Sequence, residues 1–198
     1  MRGHEYVRAT VRDHLAATVP GRLAAIRTAL EVDTPSNPPA EAYLLADGLP
    51  TDPALYPCVV VMSTGSPTMR RQSVSAAGDP CDYVVGYSLT IVVGCRVDTA
   101  GGEEHASRDR DRLMLAVREC LLASGSFPDD FELLTQDMTE ETGAAAQDLR
   151  GRPLAAGQLS LGAGVLETLS PIPVPADIEE TEIDVDGYTA VTTTLPPN

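Results

Sequence analysis

The chain has 198 residues and a formal charge of −15, and all 14 of its basic residues are arginines. Without lysine, chemistry that runs through a lysine amine is excluded, pyridoxal phosphate and Schiff-base catalysis included. The acidic balance argues against coating nucleic acid, which needs a basic face to neutralise phosphates.

Met1 to Tyr6 place charges where a signal peptide needs an apolar run. No stretch approaches the roughly 20 apolar residues of a membrane span. A soluble chain made in the cytoplasm is expected. Over residues 4–30, Val7, Val11 and Leu15 recur at helical spacing, and Leu23, Ile26 and Leu30 resume it after Pro20. This predicts two helices or one kinked helix. Residues 31–57 hold six prolines, which keep the backbone extended or turning. A short buried strand, Cys58 to Met62, is expected to stop at Ser63 to Pro67.

The clearest local pattern lies at 83–97. Tyr83, Val85, Tyr87, Leu89, Ile91, Val93, Cys95 and Val97 fall on odd positions, which predicts one strand with a dry face. At about 3.3 Å per residue it would run about 50 Å, longer than the roughly 40 Å width of a compact domain of this size. Such a strand must bend, at Gly86 or Gly94, or project beyond its own core. After a turn at 98–102, Glu103 to Ser124 reads as a helix that buries Leu113, Ala116, Val117, Cys120 and Leu121, with Gly125 as its cap. Phe131 to Met138 reads as a strand, Thr139 to Arg152 as a loop, and Leu154 to Leu169 as a long strand or hairpin.

At Ser170 to Pro175 the character changes. Pro171, Pro173 and Pro175 favour an extended tether. Beyond it Asp177, Glu179, Glu180, Glu182, Asp184 and Asp186 give six acids and no arginine. Asp186-Gly187, between Ile183 with Val185 and Tyr188 with Ala190, is a strong hairpin cue. The division is therefore a body at 1–170 and a Pro-rich tether with an acidic arm at 171–198. The arm is either a solubilising tail or a docking hairpin, and the Asp-Gly cue favours docking through Ile183, Val185 and Tyr188.

No catalytic, cofactor-binding or metal-binding residues emerge. Cys58, Cys81, Cys95 and Cys120 lack paired spacing and are expected to be buried, reduced thiols. His4, His14 and His105 lack metal spacing and are expected at the surface. Arg108, Arg110 and Arg112, interleaved with Asp109 and Asp111, are either intrahelical pairs on a solvated face or a contact between subunits. Arg70 and Arg71 fall in a polar stretch between strands, as a solvated loop or as a loop tip that touches a partner.

The element order is an N-terminal helix, the short strand at Cys58 to Met62, the very long strand at Tyr83 to Val97, a helix centred on Ala106 to Cys120, and final strands. This order resembles the tail terminator proteins of long-tailed bacteriophages, over roughly Glu5 to Leu169. The resemblance implies an α+β fold, a mostly antiparallel sheet with helices packed on one face, here extended by a C-terminal arm. It implies a structural virion protein and no enzyme. Members form a homohexameric ring that caps the tail tube, stops its polymerisation and joins the tail to the head. The implied partners are other copies of the chain, the major tail tube protein and the head-completion (stopper) protein. DNA would pass through the lumen without specific binding, no membrane would be involved, and the location would be the tail-neck junction of the virion. The alternatives are another neck or minor tail protein or, from a different class, a bacterial α+β enzyme or ligand-binding domain.

Overall fold

The computed structural model describes residues 3–32, 38–72, 81–97, 102–123, 127–143, 146–147, 153–169, 183–185 and 188–190. Of the two readings of residues 4–30, the single helix is found: α1 spans Gly3–Leu30 with Pro20 inside it. Proline in a helix interior costs about 3 kcal/mol or more. Val7, Val11, Leu15, Val19, Leu23 and Ile26 nevertheless form one buried stripe running past it. Each such side chain contributes about 1.5–3 kcal/mol when fully buried. The stripe outweighs the break.

The proline-rich segment yields a short strand the sequence did not reveal, β1 (Ala42–Leu45), and a 3-10 turn at Pro53–Leu55. Asp52 caps that turn by accepting a hydrogen bond from the Ala54 amide at 2.9 Å. β1 lies parallel to the start of β2, with Ala42 opposite Cys58. β2 runs Cys58–Arg71 and does not stop at Met62. Its Ser-Thr-Gly-Ser-Pro stretch is a bulge within the strand: Thr64 pairs with Ser88, and Thr68 pairs with Gly86. Four steps along β2 thus face two along its neighbour. Gly65 supplies the positive φ of 77° that this excursion requires.

β3 (Cys81–Arg96) confirms the long alternating strand, and β6 (Pro153–Leu169) is a single strand. The two pair antiparallel without a shift from Cys81 opposite Leu169 to Arg96 opposite Leu154. Between them in sequence come α2 (Gly102–Leu122), β4 (Phe131–Thr142) and β5 (Ala146–Gln147). Residues 139–142, expected in a loop, are strand because they continue the ladder on β6 from Ser160 to Gly157. The sheet order is β1-β2-β3-β6-β4, with β5 also on β6. All neighbours are antiparallel except β1 and β2. The fold is α+β.

Both helices cover one face. Val59 and Val61, the odd residues of β3 from Val85 to Cys95, and Leu159, Leu161, Ala163 and Val165 pack against the buried stripes of α1 and α2. The buried residues of α2 include the five expected, with Ala106 and Met114 added. A second, smaller core lies on the opposite face at one end, where Ala42, Tyr56, Cys58, Val60 and Leu154 come together. Gly94 makes room for it. A Cβ there would stand 2.9 Å from Leu49 Cδ2 and from Tyr56 Cε1. The expected helix cap at Gly125 lies outside the described residues, as does most of the arm. Within the arm, β7 (Ile183–Val185) and β8 (Tyr188–Ala190) pair antiparallel with each other.

Candidate assembly surface

The first core covers the helix side of the sheet from Val85 to Cys95 and from Leu159 to Val165, whereas the second covers the opposite face at one end only and leaves the rest of that face open. The bulge of β2 lies opposite Tyr87, and a second bulge, in β4 between Leu134 and Thr139, lies opposite Leu161. Tyr87 pairs with Ala163, and Leu89 with Leu161, so the two irregularities flank the central ladder at nearly one level. Past this level β2 exposes Thr68, Met69, Arg70 and Arg71, and β6 exposes Leu166 and Thr168. Met69 is 57% exposed and Leu166 is 42% exposed, both large for apolar side chains. The alternation of β6 carried a signal for Leu166, which lies out of phase with Leu159, Leu161 and Val165.

Arg70 and Arg71 therefore belong to a strand and not to a loop, because β3 offers them a ladder: Arg70 pairs with Val84, and Arg71 with Tyr83. The Arg71 guanidinium also donates to Cys81 Sγ at 3.1 Å. Arg108, Arg110 and Arg112 lie elsewhere, on the first half of α2, which follows the opposite end of β3. They are paired along the helix, Arg108 with Glu104 at 3.8 Å, Arg110 with Asp111 at 2.7 Å and Arg112 with Asp109 at 4.0 Å. The solvated-face reading fits only Arg108. The side chains of Arg110 and Arg112 are 11% and 17% exposed. Arg110 turns inward because its guanidinium also reaches the Gly143 carbonyl at 3.2 Å. Ile183 pairs with Ala190, and Val185 with Tyr188, so the three arm residues share one hairpin.

The two strands that flank the β3–β6 ladder differ in charge. β2 carries Arg70 and Arg71 and no acid, whereas β4 carries Glu132, Asp137, Glu140 and Glu141 and no arginine. Glu140 is paired with Arg118 at 2.7 Å, and Glu141 accepts from Gln158 at 2.8 Å. The charge of β4 was legible in the sequence, but its position at a sheet edge was not.

The chemistry-bearing side chains are mostly embedded. Cys58, Cys95 and Cys120 are buried free thiols, as expected, while Cys81 is half-buried. Burial pushes the Cys58 thiol up to about 12 and raises Cys95 as well. A thiol held neutral is a poor nucleophile. Two histidines are less exposed than expected. His4 Nδ1 bonds to Ser63 Oγ, and its ring stands edge-on to Tyr87 at 5.0 Å. His14 reaches the Cys120 carbonyl at 3.3 Å and packs on Phe127 at 4.4 Å. His105 is exposed. Tyr87 donates to buried Glu167 at 3.4 Å. Its phenol is raised first by burial and then by that carboxylate.

Among the described residues, no group of three or more His, Cys, Asp or Glu could hold a metal ion. No described helix is long and apolar enough to cross a membrane. An open recess of about 520 Å³ lies between Val92, Glu141 and Gln158, without a convergent set of polar groups. The chain matches no family model and no curated protein.

Proposed function

We propose that this is a structural protein that closes into a ring with copies of itself. More particularly, we read it as a tail terminator of a long-tailed bacteriophage, six copies of which would cap the tail tube, stop its growth and join the tail to the head-completion protein. The observation that carries the reading is the 16-residue strand β3, laddered along its whole length to β6, beside which β2 past its bulge leaves Met69 and Arg70 exposed, with Leu166 exposed on the face turned away from the helices. A sheet of that length, its long central pair flanked by two strands of opposite charge, offers different surfaces on its two sides. Head-to-tail contacts between unlike surfaces close into rings when the rotation is right. The net charge of −15 suits a lumen that lets DNA pass, because it repels phosphate.

The test is electron microscopy of tail tubes polymerised with and without the chain. The reading expects tubes of limited length, each capped by a ring of this protein. Tubes that lengthen unchanged, with no ring at their ends, refute it.

A further inference from the structure

We propose that the outer edge of β2 at Thr68–Arg71 takes the acidic C-terminal hairpin of a second copy as an added strand. The proposal rests on the ring reading in one respect, that the partner is another copy of this chain.

The sheet has three outer stretches on which a strand could be added: β1, β2 beyond the reach of β1, and β4. β1 covers β2 only from Cys58 to Val61, and from Met62 onward no described strand lies on its outer side. No described strand lies outside β4 either. Charge chooses between them. The hairpin β7–β8 sits in a segment with six acids and no arginine. The four acids of β4 would repel it and β1 carries no charge, whereas exposed Arg70 and Arg71 on β2 would attract it.

Length agrees. β7 and β8 are three residues each, and β2 past its bulge offers four. Pro67, which lacks a donor, and the bulge beside it stop an added strand from running farther along β2. Among the described residues β7 and β8 pair only with each other, and a lone two-stranded hairpin is marginal in water.

Position selects a second copy over the same chain. β6 ends at Leu169 opposite Cys81, the same end of the sheet as Arg71 opposite Tyr83. The chain's own β2 edge lies only two strand spacings, about 10 Å, to the side. The prolines at 171, 173 and 175 favour extended backbone, at about 3.1 Å per residue. Docking on the chain's own edge requires a reversal soon after Leu169, which such a run of prolines disfavours, so the proposal places the hairpin on a second copy.

Two variants test this. One lacks residues 171–198, and the other is the full chain with Arg70→Glu and Arg71→Glu. The first offers an edge without an arm, and the second an arm without a basic edge. Each alone is expected to be monomeric by native mass spectrometry, and their mixture to give a one-to-one heterodimer. Adding Glu182→Arg and Asp184→Arg to the charge-reversed chain should restore its self-association. Raising salt from about 0.05 to 0.5 M should weaken wild-type association roughly tenfold. Should the double reversal fail to fold, Arg70→Gln with Arg71→Gln serves in its place.

A wild-type chain that stays monomeric at about 100 μM, or a mixture that gives no heterodimer, overturns the proposal. Undiminished rings from the truncated chain overturn it while leaving the ring reading intact. Heterodimers from the mixture, with open wild-type filaments in place of rings, support the proposal and defeat the ring reading.

Discussion

Gly94 on β3 lies directly beneath the ring of Tyr56, so close that a methyl group at position 94 would stand 2.9 Å from Cε1. The ring is held from above as well, since its hydroxyl donates to the Pro50 carbonyl at 2.7 Å. Gly94→Ala must therefore push the 49–56 segment off the sheet. Overpacking of this kind costs about 1–3 kcal/mol, and at this chain length the melting temperature should fall roughly 2–10 °C. Gly48→Ala is the control, because nothing lies within 4 Å of a Cβ there. Its melting temperature should stay close to the parent's, measured by circular dichroism.

The helix break in α1 is a stability reserve. Pro20 is exposed, and a Cβ at Gly21 would meet nothing within 4 Å. Pro20→Ala should stabilise by up to about 3 kcal/mol and Gly21→Ala by about 0.5–1 kcal/mol. Denaturant titration should show a higher midpoint for both, with an unchanged slope. A lower midpoint for Pro20→Ala would mean that the local path of α1 depends on the proline.

Alkaline pH should unfold the body early. Cys58 is raised from 9.0 to about 12 by burial, and Tyr43 from 10.0 to about 12, mainly by burial. Each is an acid whose folded form holds its proton longer than the unfolded form. The stability this confers is complete below the unfolded value and is lost as pH climbs toward the folded one. Urea midpoints should fall steadily between pH 9 and 12. In Cys58→Ala the decline between about pH 9 and 10 should be shallower. An equal slope in that variant would show that the thiol is not the titrating group.

The body should not need the arm to fold. The described hairpin strands pair with each other and with no strand of the main sheet. Removing Pro171 to Asn198 should leave the body's unfolding free energy within about 0.5 kcal/mol, the range of ordinary surface changes, while weakening assembly. A collapse of the melting transition in the truncated chain would instead make the arm a structural part of the body.

β3 and the buried stripe of α2 were legible in the sequence because nothing interrupts their periods. The odd residues from Tyr83 to Cys95 and the set Leu113, Ala116, Val117, Cys120 and Leu121 fall where the periods put them. β2 and β4 were cut short because each contains a bulge that hides its second half from a period-two reading. Ser63 to Pro67 has loop composition, and only the ladder offered by β3 makes Thr68 to Arg71 a strand. β1 has no local signature at all: it forms because Cys58 to Val61 present an edge to it. The assembly surface was legible as residues but not as a place. Arg70 and Arg71 were visible in the sequence, but their position on the uncovered outer side of β2 depends on pairing that no local pattern records.

Only one end of the β3–β6 ladder is backed on both faces, so the remainder is held from the helix side alone. A load applied at the other end is carried in shear along both long strands and is met where both faces are clamped, with Tyr56 over Gly94 and Met114 over Gly157. Stiffness is therefore set far from where force enters. A substitution that loosens the clamp would soften the other end without altering a single residue there.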